Sequence, residues 1–164
     1  MADVIMIPFG NAHEYADGNS WTFTCQHGVD ECVYNEIESC SNKYVSDSLT
    51  AFNFINCVES NDSKRKLVYQ DVIDLCTVQT NLTAEQTASI NSCWNTQEAI
   101  DLHHANALLT GALVPAHEYV PWVVGQGVHN DDIQGQVETS LLQYVCDNYT
   151  GDSKAAACAT TERK

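Results

Sequence analysis

Three of the chain's eight cysteines, Cys25, Cys32 and Cys40, fall within sixteen residues that also hold His27 and Gly28. Thiolates and imidazoles together bind zinc, but zinc modules keep short, regular spacings that Cys25, His27 and Cys32 do not. A single thiolate attacks disulfides, and Cys25 has the surroundings for it: a histidine two residues on and a helix start just beyond, both of which lower a thiol pKa. A bridged cysteine in the same place is inert. Because the cysteine count is even, disulfides are the better account of Cys25, Cys32, Cys40, Cys57, Cys76, Cys93, Cys146 and Cys158. No two of them are three apart, so these residues contain no Cys-x-x-Cys pair for thiol exchange. His103-His104 and His117 offer acid–base or ligand chemistry. Yet no carboxylate stands at motif spacing from them, and surface or capping histidines are commoner. The residues thus specify no catalytic group, no metal and no cofactor.

The spacing also limits the pairing. On one continuous helix the Cα atoms of Cys32 and Cys40 would be about 12 Å apart, beyond the roughly 7 Å a disulfide spans, so each is expected to pair elsewhere. Cys146 and Cys158 enclose a short loop containing Gly151 and are assigned to each other; the other six stay open among all their pairings. The sequons Asn61-Asp62-Ser63, Asn81-Leu82-Thr83 and Asn148-Tyr149-Thr150 join the cysteines in pointing to the secretory pathway, with a secreted or lysosomal product.

Charge excludes some partners. With 22 acidic against 7 basic residues, the net charge of -15 repels phosphate backbones and anionic lipid surfaces, so nucleic acid is not expected as a partner. Acid would charge the six histidines and neutralise some carboxylates, easing that repulsion. No apolar run of about eighteen residues is present, so no membrane span is expected. Met1-Ala2-Asp3 lacks the pattern of an export signal, which is expected to have been removed.

The elements that must position these residues follow from periodicity. Val4-Ile5-Met6-Ile7, closed by Pro8 and Gly10, reads as a strand buried on both faces, and Trp21-Thr22-Phe23-Thr24 as a second short strand. Helical spacing of apolar residues then predicts helices over Asp30–Cys40, Ser46–Glu59, Lys66–Val78, Thr83–Trp94 and Thr96–Leu109. Ser46, Thr83 with Gln86 three later, and Thr96 are the expected caps. Ser60-Asn61-Asp62-Ser63 and Gln79-Thr80-Asn81 are the expected joints. Tyr119-Val120-Pro121-Trp122-Val123-Val124 reads as β-rich, Gly125-Gln126-Gly127 as a turn and Asp131–Tyr144 as a closing helix. The tail from Gly151 to Lys164 reads as loosely ordered except where Cys158 ties it down. At 164 residues, one domain over 1–164 is the natural expectation.

The string Cys25-Gln26-His27-Gly28-x2-Glu31-Cys32-x2-Asn35-x4-Cys40 resembles the signature of the gamma-interferon-inducible lysosomal thiol reductase family. Ile7-Pro8-Phe9-Gly10-Asn11-Ala12, His104-Ala105-Asn106-Ala107 and His117-Glu118-Tyr119-Val120-Pro121-Trp122-Val123 extend the likeness over nearly the whole chain. The resemblance implies an α/β (α+β) thioredoxin-like fold with a helical insertion at about 29–110. It places Pro121 where such folds carry a cis-proline; from the residues alone the Val120-Pro121 bond would be expected trans. It also implies a reactive Cys-x-x-Cys on a first strand and helix that these residues lack. Val4–Ile7 would then miss a neighbour, and a repaired sheet, a partner segment or a homodimer is expected across that gap.

Two functions are consistent with these features. The favoured one is a secreted, disulfide-stabilised glycoprotein without thiol reductase activity, binding a protein or cell-surface partner. The alternative is a thiol–disulfide oxidoreductase acting at acidic pH whose catalytic Cys-x-x-Cys lies outside these residues.

Overall fold

Alternating side chains in His13–Asp17 (β1) and Ser20–Thr24 (β2) form an antiparallel hairpin, with Glu14 opposite Phe23 and Ala16 opposite Trp21. Gly18, first of the two loop residues, takes φ 62, the conformation that suits glycine at the head of a tight hairpin turn. The structure is a computed structural model in which residues 4–62, 68–152 and 156–161 are described. After the hairpin come α1 (Val29–Tyr44), α2 (Ser48–Asp62), α3 (Tyr69–Gln79), α4 (Ala84–Cys93) and α5 (Gln97–Gly111). Then follow α6 (Asp131–Asn148) and the short α7 (Cys158–Thr161). The protein is mixed α and β, mostly helical, and among the described residues its sheet consists of β1 and β2. It divides into two compact units, residues 4–113 and the residues from 114 onward.

In the first unit α1 is the organising element, packed against α2, α4 and α5. It can begin where it does because Gly28 adopts φ 104 and ψ -169, a conformation closed to residues with a Cβ. Asp30 and Glu31 then suit the positive first turn, and Lys43 the last. Tyr34, Ile37, Phe54, Val58, Val72, Ile73 and Ile90 are buried together in the main core, each contributing about 1.5–3 kcal/mol through removal from water. The two serines that α1 buries find backbone partners: Ser39 Oγ donates to the Asn35 carbonyl at 2.6 Å, and Ser41 Oγ donates to that of Glu38 at 2.8 Å. Asn106 Nδ2 on α5 donates to both Ser39 Oγ (2.9 Å) and the Pro8 carbonyl (3.2 Å), pinning the turn after residue 7 to the helices.

Thr83 and Gln86 form the expected reciprocal capping box on α4. The cap of α2 is Asp47 rather than Ser46: its carboxylate accepts from the Thr50 N–H at 2.8 Å, an acceptor on the residue directly before the helix. Thr96 precedes α5 without capping it, because its hydroxyl donates back to the Cys93 carbonyl. Ser60, Asn61 and Asp62, expected to be a joint, extend α2. Ser63, Lys66 and Leu67, the remainder of that joint and the expected start of α3, lie outside the described residues.

The two apolar runs behave differently from expectation. Residues 4–7 form no strand, and Ile5 is 72% exposed, because among the described residues no strand lies beside them to complete a sheet. Tyr119–Val124 is likewise irregular; the pairing nearby is one bridge between Gly125 and Val128. That bridge closes a tight turn in which Gln126 (φ 53) and Gly127 (φ 80) are both left-handed. Asn130 Oδ1 caps α6 by accepting from Ile133 N at 2.8 Å. Helix α6 breaks at Ser140 (φ -165, ψ 100), whose hydroxyl accepts from Gln143 N at 3.1 Å and restarts it. The helix reaches Asn148, beyond the expected Tyr144. Residues 153–155 and 162–164 of the tail lie outside the described residues, as do Met1–Asp3.

Candidate functional site

All eight cysteines are paired: Cys25–Cys32, Cys40–Cys93, Cys57–Cys76 and Cys146–Cys158. The second joins α1 to the end of α4, the third joins α2 to α3, and the last fastens α7 to α6. Cys32 and Cys40 find separate partners, as helix geometry requires. With its sulfur bonded to Cys32, Cys25 carries no thiolate, and the zinc reading loses both of its thiolate ligands. Among the described residues no three His, Cys, Asp or Glu side chains converge as metal ligands.

The sixteen-residue stretch folds back on itself at the start of α1. Gln26 Oε1 accepts from Asn11 Nδ2 at 2.8 Å, which ties the loop to the turn after residue 7. The exposed His27 lies 3.1 Å through Nδ1 from Glu31, whose carboxylate also accepts the His27 backbone N–H. Asn35, one turn further along α1, is buried and aims Nδ2 at two groups: Cys25 Sγ at 3.9 Å and His103 Nε2 at 3.5 Å. Cys40 is fully buried in the core.

His103 was not distinguishable in sequence from its neighbour, and the structure separates them. His103 is fully buried between Phe23, stacked at 3.9 Å, and Phe9, edge-on at 5.5 Å. Burial pushes its pKa down to about 4, so the ring is neutral over most of the acidic range. His104 faces the hairpin, where its Nδ1 lies 2.7 Å from Glu14 and Trp21 stacks on the ring at 3.9 Å. The pair thus clasps β1 and β2 to α5 from adjacent positions. Neither is a surface or capping histidine; Trp21 and Phe23, alternate residues of β2, are the rings that stack on them. Glu36, on α1, has its pKa raised to about 7 by burial.

In the second unit the Val120–Pro121 bond is cis, as is Val114–Pro115. Gln134 on α6 holds this segment: its Oε1 accepts from Val123 N at 2.9 Å and its Nε2 donates to the Pro121 carbonyl at 2.9 Å. The same Nε2 also donates to Glu138 at 2.7 Å. His129 stacks on Trp122 at 3.4 Å and reaches the Val123 carbonyl at 2.8 Å. Gln134 carried no signal in the sequence, since a glutamine on an amphipathic helix reads as solvent-facing.

The profile of the gamma interferon inducible lysosomal thiol reductase family matches residues 1–80. Over 99% of its length the chain is 38% identical to a gamma-interferon-inducible lysosomal thiol reductase of Carassius auratus and covers 61% of that relative. It is 35% identical over 96% of its length to the Mus musculus protein of the same name, covering 59% of it. It is 34% identical over its whole length to a gamma-interferon-responsive lysosomal thiol protein of Arabidopsis thaliana, covering 67%. The chain therefore spans about three fifths of the length of the first two relatives.

Proposed function

Because this chain belongs to the gamma-interferon-inducible lysosomal thiol reductase family, we propose that its 164 residues are a disulfide-braced glycoprotein module of the secretory pathway that does not itself turn over disulfides. The observation that carries this reading is the pairing of all eight cysteines, with no two of them three apart. Catalysis by thiol exchange needs a thiolate that reaches the disulfide of the substrate, and the bridged cysteines present none without prior reduction. Binding of a protein or cell-surface partner through the acidic surface is the activity that remains. A second copy pairing along the exposed residues 5–7 is the corresponding proposal for self-association.

Family membership supports a thioredoxin-like architecture for the whole protein, with α1 to α5 as the inserted helical block and Pro121 near the reactive site. Secretion or lysosomal delivery rests on the disulfides, the sequons and the family. Of the sequons, Asn81 is exposed on the loop after α3, whereas the amides of Asn61 and Asn148 donate within α2 and α6. Asn81 is thus the best-presented glycan acceptor of the three.

The second reading is that the whole protein is a thiol–disulfide oxidoreductase whose Cys-x-x-Cys lies outside these residues. It is favoured by the names of the relatives and by the three-fifths span. Insulin-disulfide reduction by this chain at acidic and neutral pH tests the first reading. The expected result is a rate equal to the thiol-only background; catalysed turnover would overturn it.

A further inference from the structure

The four disulfides are not equally sheltered. Seven of the eight cysteines are buried; the eighth, Cys25, is half-buried, and the residues that follow it, Gln26 to Asp30, are all exposed. We propose that Cys25–Cys32 is a thiol-exchange site at which a low-molecular-weight thiol adds to Cys25 while the other three disulfides stay closed. The inference goes beyond the reading above and does not depend on it.

The geometry favours one direction of attack. Cys32 is 7% exposed, so an incoming thiolate meets Cys25 Sγ. As the new S–S bond to Cys25 forms, the Cys25–Cys32 bond breaks and its electron pair leaves on Cys32 Sγ, which takes a proton from water. Asn35 Nδ2, 3.9 Å from Cys25 Sγ, is a donor already aimed at the central sulfur while charge is spread over the three. The departing Cys32 sits in the first turn of a sixteen-residue helix, whose free amides favour negative charge. Asp30 and Glu31 oppose it there, and Glu31 is partly engaged by the His27 N–H.

Connectivity points the same way. Cys25–Cys32 spans 7 residues, against 53, 19 and 12 for the others. Opening the shortest loop returns the least chain entropy to the unfolded state, so this bond can open with the smallest loss of fold. Buried Cys32 can attack back and expel the small thiol, but it cannot reach the disulfide of a protein substrate. Exchange here is therefore a reversible modification, in keeping with the absence of turnover expected above.

The test is disulfide mapping of the native chain. The protein is equilibrated with a graded series of glutathione at neutral pH, quenched with acid, alkylated and mapped by peptide mass spectrometry. The expected result is glutathione or alkylation at Cys25 and Cys32 at a concentration about tenfold below that which opens any other pair. The proposal is overturned if another pair opens first, if all four open together, or if all stay closed across the series. A Cys25→Ser/Cys32→Ser variant with unchanged far-UV circular dichroism is expected to lose the low-concentration adduct; retention of that adduct elsewhere overturns it too.

Discussion

His103 and Glu36 pull the stability of the first unit in opposite directions as pH changes. The His103 ring is held neutral by burial, its pKa lowered to about 4. The unfolded chain, with a histidine near 6.5, binds that proton more readily, so stability falls as pH drops from about 6.5 towards 4. Replacing His103 by Leu is expected to remove about 2–3 kcal/mol of this acid sensitivity, read as a flatter dependence of urea midpoint on pH. Glu36 acts at the other end. Its pKa, raised to about 7, means the folded chain holds a proton that the unfolded chain releases, so stability falls as pH rises from about 4.5 through 7. Glu36→Gln is expected to be more stable relative to the parent at pH 8 than at pH 5, by about 1–2 kcal/mol after solvent screening. A constant difference across pH would contradict the assignment. Neither role was visible in the sequence, because burial of one member of His103-His104 depends on which of them meets Phe9 and Phe23 across the fold.

The helices were the legible elements. Apolar spacing predicted five of them between residues 29 and 111, and Thr83 with Gln86 carried its own cap. The misread strands share one cause, that a strand is defined by its neighbour. Val4–Ile7 and Tyr119–Val124 have strand composition without a partner in the described residues, whereas His13–Asp17 has unremarkable composition and pairs residue by residue with Ser20–Thr24. The Asp17-Gly18 dipeptide ahead of Trp21-Thr22-Phe23-Thr24 is a hairpin-turn signal that the reading by apolar spacing passed over. The cross-links also divide the elements by importance. Closing 53 residues, Cys40–Cys93 is expected to contribute about 4 kcal/mol, and Cys25–Cys32, closing 7, about 2 kcal/mol. Paired alanine substitutions compared by urea denaturation check this order; equal losses would contradict it.

For the molecule as a whole, charge and cysteine pairing were both readable from composition. At -15 the folded chain repels itself, so its melting temperature at neutral pH is expected to rise as ionic strength goes from about 0.01 to 0.15 M, and a fall would contradict that. The even cysteine count indicated full pairing, and Cys146–Cys158 was identifiable because its loop is short; the other partners required the fold, since Cys40 meets Cys93 only after α1 and α4 pack. What the sequence left open was whether the stretch from Cys25 to Cys40 reacts or braces. In the structure it closes one disulfide at the head of α1 and anchors another in the core, leaving no thiol at rest. The most direct test is to unfold the unreduced chain in denaturant with an excess of maleimide and weigh it intact. The account predicts no adduct on any chain; a single adduct per chain, at Cys25 or elsewhere, would contradict it.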